Sequence, residues 1–572
     1  MAAFLGYPKR RVFIHAASEQ GSDAQILATK VAFVPPPAEI NDISGLFNWL
    51  EARHQVEDVL TVRGWMRLAQ QEGSLPSEFD LHARRAKQEV VPTGVCEWGD
   101  SLALKIAPSS INNENYMLLQ GVDPTTGLRL PKIPAFSNYR PQHAKPPIPL
   151  TLAHPVFARF KDVFHGPGQQ PDRNDYKFYL KMASAFSRCY TDEADYKYEA
   201  AELWKQYTGI EFINELNTGG GTLGARLFAL KAILAALEAK LGPFRSKSDP
   251  GAQAPQYVRL YWMRKGNRKR FYNTCYPAIS IEQLGTLVRV SAVATLDRFC
   301  CMPLTPFVNF LQLQGDDVRA AEQGVRLILA VKVALTELAA FYTNFESGPP
   351  RDLFFTRSTP YPLQNCAAVP RRFGDKLVYL VQHAERLVVV KFVQRPYGED
   401  VHRAWAARGC APELYGVSLL QGGWWQVKMQ YLGEGDGWKV LQACPDADVL
   451  RPKVLEALAA AQQIPVTSSS ASGEVGVGGG VHGDMRDVNV MVRRSADGTL
   501  DVKFIDFDWA RAEGSTSAYY PPFMNHLQVN WQGGEDGKPM KQEHDTALLS
   551  LKQAAQSLDA MASPPSSSWG PF

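Results

Sequence analysis

The sequence is short of cysteine, of charge imbalance and of long apolar runs, and each shortage closes off a class of protein. Eight cysteines are scattered through 572 residues with no CxxC pair, so no zinc framework or disulfide scaffold is readable and a reducing compartment, cytoplasm or nucleus, is expected. Lys and Arg number 61 against 58 Asp and Glu, a net charge of +3. That balance excludes a molecule gripping nucleic acid through its overall field, and leaves only a local patch for the purpose. The two most apolar stretches, Leu227–Leu241 and Val325–Tyr342, are interrupted by Lys231 and Glu238 and by Lys332 and Glu337. Both read as amphipathic core helices, and no transmembrane segment is expected. The opening MAAFLGYPKRRVF places its basic residues after a short apolar stretch instead of before a long one, so secretion is not expected either.

What is present is a globular composition, 45% hydrophobic and 11% aromatic, long enough for several cores at roughly 100–200 residues each. Proline-rich stretches at His143–Pro155 and Ser347–Leu363 mark boundaries. They divide the chain into an N-terminal region (1–145) with no motif to which chemistry attaches, an α/β domain (150–346), a further domain (353–560) and a disordered tail (561–572). In the α/β domain the periodicity predicts helices over Val156–Phe164, Asp175–Cys189, Glu193–Tyr207, Leu227–Leu241 and Gln323–Phe345, and strands at Ile210–Ile213, Tyr257–Met263, Ala278–Ile281 and Leu287–Thr295. From Leu353 the order becomes strands first, helices later. A hairpin is expected over Leu377–Gln382 and Leu387–Val393, then a helix from Asp400, strands near Leu414–Leu420 and Trp424–Tyr431, a helix over Asp446–Gln463, and a Ser/Gly-rich surface loop over Val466–Gly480.

Chemistry concentrates after that loop. Val481-His482-Gly483-Asp484-Met485-Arg486-Asp487-Val488-Asn489 has the spacing HxDxxxxN and runs into an apolar strand, and Phe504-Ile505-Asp506-Phe507-Asp508 comes next. Phosphoryl transfer from a nucleotide needs a carboxylate at the acceptor hydroxyl and an Asp and an Asn converging on Mg²⁺. Asp484, Asn489 and Asp506 match those needs, and a hairpin between Asn489 and Asp506 would set the two metal ligands on one cleft wall. Upstream, Val388-Val389-Val390-Lys391-Phe392 buries a lysine in a β-branched strand, which demands an anionic partner. Glu399 and Asp400, at the start of the next helix, are the two candidates.

These residues resemble the protein-kinase-like superfamily over about Leu353–Asp559, in the HGD version found in aminoglycoside phosphotransferases and in fungal, algal and Crinkler-associated kinase-like proteins. The resemblance implies a C-terminal bilobal fold with a β N-lobe and a truncated helical C-lobe, in a chain that is α/β and α+β multidomain. It implies ATP and Mg²⁺ as cofactors, Asp484 as catalytic base, Asn489 and Asp506 as metal ligands, and Lys391 as the phosphate lysine paired with Glu399 or Asp400. Gln430, Tyr431 and Leu432, in Met429–Leu432, would meet adenine, and Asp545 would open a helix supporting the catalytic loop. The chain departs from the pattern in three places: only Gly374 stands where a glycine-rich loop belongs, Asp506-Phe507-Asp508 replaces DFG, and no APE-type motif is found after it.

Glu211-Phe212-Ile213-Asn214-Glu215, then Gly219-Gly220-Gly221 and an expected helix, is similar to the E-x-K strand and following helix of PD-(D/E)xK nucleases. That implies an α/β restriction-endonuclease-like domain, with Ile213 where the catalytic lysine belongs and therefore no nuclease chemistry. Arg264-Lys265-Gly266-Asn267-Arg268-Lys269-Arg270 is a basic patch open to nucleic acid, although a solvated turn between strands explains it as well. The expectation is an ATP- and Mg²⁺-dependent phosphotransferase, a Ser/Thr protein kinase with a protein substrate and no membrane partner. The alternative is a pseudokinase binding module carrying a dead nuclease-like domain that recognises protein or nucleic acid.

Overall fold

The computed structural model describes residues 12–17, 26–32, 136–137 and, with short gaps, 146–551. Most of the 1–145 region, the 561–572 tail, the Asn214–Gly221 segment and, from the basic patch, Arg264, Lys265, Gly266 and Arg268 lie outside the described residues. The chain divides into two compact units, Met1–Tyr361 and Pro362–Phe572.

In the first unit, β1 (Val12–Ala17) and β2 (Ile26–Ala32) form an antiparallel pair. The short strand β3 (Phe136–Ser137) is followed by α1 (Leu150–Ala153), α2 (Pro155–His165), α3 (Arg173–Phe186) and α4 (Glu193–Thr208). The helix starts arise from local chemistry. His154 caps α2, with Pro155 opening it, and Asp172 and Asp175 form a reciprocal capping box on α3. Then come β4 (Phe212–Ile213), β5 (Leu223–Leu227), β6 (Ala232–Lys240), α5 (Pro250–Met263), β7 (Ala278–Leu284), β8 (Leu287–Thr295), β9 (Phe299–Pro303), β10 (Val308–Asn309) and α6 (Val318–Thr343). One eight-stranded sheet results, ordered β3-β9-β8-β7-β6-β5-β4 with β10 on β8. The β6–β7 and β3–β9 pairs are parallel and the others antiparallel.

Two expectations fail here, for one reason. Leu227–Leu241 is not a helix: its core is strand β6, buried along its whole length. Tyr257–Met263 is not a strand but the second half of α5. A central strand covered on both faces takes small apolar residues such as Ala232, Ala235, Ala236 and Ala239, so helix propensity is overridden by packing, and periodicity cannot tell the two apart. The aromatic run of α5 is helical because Pro250 opens it and both its sides are covered.

The second unit opens with β11 (Arg371–Arg372), β12 (Val378–His383) and β13 (Arg386–Val393), continues through α7 (Glu399–Ala407), β14 (Leu414–Leu419) and β15 (Trp425–Gln430), and forms one antiparallel sheet ordered β11-β12-β13-β15-β14. Beyond it lie β16 (Lys439–Val440), α8 (Ala447–Gln462), β17 (Pro465–Ser469), β18 (Val475–Val481), β19 (Val490–Arg494), β20 (Leu500–Phe504), β21 (Arg511–Ala512) and α9 (Gln542–Ser550). The Ser/Gly-rich stretch expected as a loop is the β17–β18 hairpin, Val466 opposite Gly478, and β18 continues onto β21. Val466 is fully buried in a core with Trp405, Leu458, Phe504, Phe507 and Leu549, so the hairpin is anchored rather than free. Among the described residues no helix is long and apolar enough to cross a membrane.

Candidate active site

Lys391 stands on the third strand of the five-stranded sheet, opposite Val378 of β12 and Val427 of β15. Strand alternation turns Val388, Val390 and Phe392 into one buried face, and Lys391 lies on the other, its side chain only 12% exposed. Its ammonium bonds Asp506 Oδ1 and, at 2.6 Å, Asp508 Oδ1. Burial works against the charged amine, but the two carboxylates outweigh it and hold its pKa above the ordinary value.

The loop over 482–489 is held from behind. His482 is completely buried, with Nε2 at 2.9 Å from the Ile505 carbonyl. The Asp545 carboxylate, in the first turn of α9, accepts the backbone N–H groups of His482 (2.7 Å) and Gly483 (2.9 Å). Burial pushes Asp545 up to about 7, against the pull of those two bonds. Gly483 has φ +81°, and a Cβ there would meet Met540 Sδ at 2.7 Å and Trp509 Cβ at 3.1 Å. Backbone conformation and close packing thus both require glycine in the HGD triplet. Asn489 donates through Nδ2 to the Asp484 carbonyl (2.7 Å) and to Asp484 Oδ2 (3.0 Å). Arg451 of α8 bonds both Asp487 oxygens at 2.8 Å and the Leu549 carbonyl at 2.7 Å, tying loop, α8 and α9 together.

Asp506 comes just after β20, whose pairing with β19 sets Val490 opposite Phe504, and the Ile505 N–H donates to the Asn489 carbonyl at 2.9 Å. The hairpin therefore brings Asn489 and Asp506 side by side. Asp506 has φ +73°, a left-handed conformation uncommon for a side-chain-bearing residue and associated with strain at functional sites. Burial would raise its pKa, but Lys391, then Lys376 and His482, hold it below the usual carboxylate value. Asp508 moves the opposite way, raised by burial first and by Asp506 second.

The expected partners of Lys391 are corrected. Neither Glu399 nor Asp400 reaches it: Glu399 pairs with Arg403 one turn along its own helix, at 2.7 Å, and Asp400 is exposed, its charge acting on Arg511. The cause is where α7 begins. Gly398 donates to the Phe507 carbonyl at 3.0 Å, and a Cβ on it would meet that oxygen at 2.6 Å and the Ala510 carbonyl at 2.5 Å. Docked there, α7 turns Val401, His402 and Trp405 inward, and its first-turn acids face out. His402 stacks on Phe507 at 4.4 Å, bonds Tyr397 Oη and the Pro412 carbonyl at 2.8 Å each, and is lowered to about 4 by burial. The anions that Lys391 needs come instead from Asp506 and Asp508.

Two site residues are not evident from the sequence motifs. Asp508 enters the motif only as a replacement for the DFG glycine, although a second acid in Asp506-Phe507-Asp508 is an available signal. Arg486 forms a two-pronged pair with Asp484, Nη2 to Oδ2 at 2.8 Å and Nε to Oδ1, and lies over the Trp531 ring at 5.6 Å. Of the residues assigned to adenine, Gln430 ends β15, with its N–H on the Glu413 carbonyl. Tyr431 has its ring 6.3 Å from Phe373, and Leu432 packs with Trp438 and Met491 in a small apolar cluster joined by Ile505.

In the first unit, Glu211 pairs with Lys205 at 2.9 Å on the surface, and the next element after Phe212–Ile213 among the described residues is strand β5, not a helix. The strand in this unit that reads E-x-K and precedes a helix is β6, through Glu238-Ala239-Lys240. Glu238 is fully buried and bonded by Lys240 (2.9 Å) and Lys197 (3.4 Å), and Lys240 also reaches Glu193 at 3.0 Å. Its register partner on β7, Glu282, is equally buried and accepts from Arg289 Nε and Ser291 Oγ, both at 2.6 Å. Of the basic patch, Arg270 lies over the Phe271 ring at 5.6 Å, and the segment comes after a helix rather than joining two strands. Among the described residues no group of three or more His, Cys, Asp or Glu is placed to hold a metal ion.

No protein-family profile matches this chain, and no curated protein is similar to it. Among solved structures, the Cydia pomonella granulovirus kinase PK-1 is similar at 17% identity over 25% of this chain and 54% of its own, with a TM-score of 0.18. The yeast RNA polymerase II CTD kinase complex CTDK-1 is similar at 13% identity over 31% and 53%, also with a TM-score of 0.18. The chain thus spans about half the length of the solved structures it matches, and likenesses of this strength carry neither fold nor function by themselves.

Proposed function

We propose that the Pro362–Phe572 unit is a protein-kinase-like phosphotransferase that uses ATP and Mg²⁺ to phosphorylate a serine or threonine hydroxyl of a protein. The observation that carries the reading is the convergence of Lys391, Asp506 and the Asp484–Asn489 pair, from three separate stretches of sequence, on one partly open cluster. Asn489 and Asp506 offer hard oxygen donors side by side. Two protein oxygens and no closed cage suit Mg²⁺, which keeps waters and takes its other ligands from phosphates. The apolar Leu432, Trp438 and Met491 cluster beside Gln430 and Tyr431 suits a purine face.

Bound Mg-ATP supplies the transferable γ-phosphoryl group and the cation that neutralises its developing charge. Lys391, bonded to both Asp506 and Asp508, would bind phosphate oxygens, and Asp508 would hold it in place with Asp506 and Asn489 as the residues that would hold the cation. Asp484 accepts the proton of the attacking hydroxyl as the new O–P bond forms and the bond to ADP breaks, while Asn489 Nδ2 orients its carboxylate. The acceptor hydroxyl has to displace at least one Arg486 bond from Asp484. A polypeptide acceptor is supported by the segment carrying Tyr520, which lies close enough to feel the Asp484 charge. That segment presents Phe523 and Leu527 at 96% and 97% exposure, an open apolar surface instead of a small-molecule pocket.

A second reading, a binding module without transfer, is favoured by the engagement of both Asp484 oxygens by Arg486. The first unit fits a scaffold in either case, since its buried acids are closed in by their own cations. The test is transfer from γ-labelled ATP with Mg²⁺ to the protein itself and to a generic protein substrate. Labelling that disappears in Asp484→Ala and Asp506→Ala supports the kinase. Absence of labelling, with Mg-ATP giving no rise in melting temperature, overturns it in favour of the binding module.

A further inference from the structure

Arg259, in the second half of α5, is a guanidinium at 0% exposure with one hydrogen bond among the described residues, from Nη1 to Gln256 Oε1 at 3.0 Å. Its Nε and Nη2 are buried as well, and no described residue bonds them. A guanidinium taken out of water requires an anion, since one neutral amide does not replace the hydration it gives up. Other buried cations of this chain have theirs: Lys197 and Lys240 have Glu238, Arg289 has Glu282, and Lys391 has Asp506 and Asp508. At Arg259 burial alone acts, and it pulls the pKa down to about 9 with no carboxylate to offset it.

The side of α5 that faces the sheet is marked by Tyr257 and Tyr261. A Cβ on Gly224 of β5 would meet Tyr257 Oη at 2.8 Å, and the Arg226 guanidinium, also on β5, lies over the Tyr261 ring at 5.4 Å. Arg259 follows Tyr257 by two residues, about 200° around the helix, so it stands on the opposite side, with Gln256 one turn before it. Its two remaining atoms form one edge of the guanidinium, with N–H bonds that run parallel. The same edge closes on a carboxylate at Arg486 with Asp484 and at Arg493 with Asp501. We propose that the Nε–Nη2 edge of Arg259 is a binding site for a small carboxylic acid in its ionised form, held two-pronged inside the first unit. One negative charge matches one guanidinium, whereas a phosphate dianion would leave a charge uncompensated in the interior. Zero exposure favours a small molecule that can be enclosed over a segment that stays joined to a larger chain. The site lies outside the unit assigned to phosphotransfer and is tested separately from it.

Melting of the full chain and hydrogen-exchange protection of the α5 amides are measured at pH 7 and fixed ionic strength, in chloride alone and with formate, acetate or inorganic phosphate added. Wild type, Arg259→Met and Arg259→Lys are compared. Formate and acetate should raise both readouts of wild type saturably, as a ligand of the folded state does. Arg259→Met should be at least as stable as wild type in chloride, because an uncompensated buried charge is gone, and should weaken carboxylate binding by about a hundredfold. Arg259→Lys keeps the charge without the fork and should weaken it by about tenfold. Formate and acetate that do no more for wild type than chloride overturn the site, a comparison that requires no variant. So does an Arg259→Met chain that responds as wild type does, or a response to phosphate alone.

Discussion

The two units each hold a cluster of acids and cations, and the clusters differ in how far their charges are closed off from solvent. In the first, Glu238 and Glu282 are at zero exposure and every carboxylate has a cation or hydroxyl on it: Lys240, Lys197, Arg289 and Ser291. In the second, Asp484, Asp506 and Asp508 retain 15%, 26% and 31% of their side-chain exposure and, among the described residues, share the two bonded cations Lys391 and Arg486. The closed cluster has no charge left to offer a ligand. The open one has an excess of anionic oxygen facing solvent, with Asp506 in a left-handed backbone conformation. A count of acidic residues would rank the two alike, and solvent access combined with incomplete neutralisation tells them apart.

Substitutions that exchange the roles of the clusters test this most severely. Asp506→Asn, which tolerates the same backbone conformation, should lower phosphate transfer by about a thousandfold or more, whereas Glu282→Gln should leave it unchanged. Equal losses in both would mean the first unit takes part in the chemistry. The stability effects should run the other way. Glu282→Ala leaves Arg289 without its buried partner, for a loss of about 3–5 kcal/mol read as reduced hydrogen-exchange protection of the β7 amides.

A smaller effect concerns the helix that docks on the open cluster. His402 has a folded pKa of about 4 against 6.5 unfolded, so the unfolded chain binds more protons between those values. Its contribution is complete above pH 6.5 and falls away as pH drops toward 4, by about 3 kcal/mol in all. His402→Gln should therefore be less stable than wild type at pH 7.5, and urea unfolding should show the gap narrowing between pH 6.5 and 4. A gap constant with pH would mean that His402 takes up its proton as readily in the folded chain as in the unfolded one. The smallest effect is expected at Glu399. Removing its exposed pair with Arg403 should cost less than about 0.5 kcal/mol and leave ATP affinity alone, while Asp508→Asn should weaken ATP binding by disordering Lys391. A tenfold loss of affinity in Glu399→Ala would show that Lys391 changes partner on binding.

How far the residues can be read ahead of the structure depends on the range of the forces involved. HxDxxxxN, the β19–β20 hairpin and Asp506 are legible because turn, strand and ligand are sequence neighbours. Asp545 is legible from its place in the order of motifs. The Lys391 partner is not, because Asp508 approaches across the whole unit and the angle of α7 depends on Gly398 packing against Phe507 and Ala510. Arg486 is hidden for a related reason, since its pairing with Asp484 depends on a side-chain conformation that no spacing reveals.

By itself the sequence determined the local devices: where the β12–β13 hairpin turns and how Asp484, Asn489 and Asp506 are spaced along the chain. Short-range hydrogen bonding and side-chain periodicity decide those matters. Tertiary structure alone decided that Ala232–Lys240 is a strand, that Glu238-Ala239-Lys240 and not Glu211 lies in the buried charge cluster, and that Lys391 answers to Asp506 and Asp508. In each case the deciding energy is burial on two faces or the pairing of charges far apart in the chain, and neither is set until distant segments have packed together.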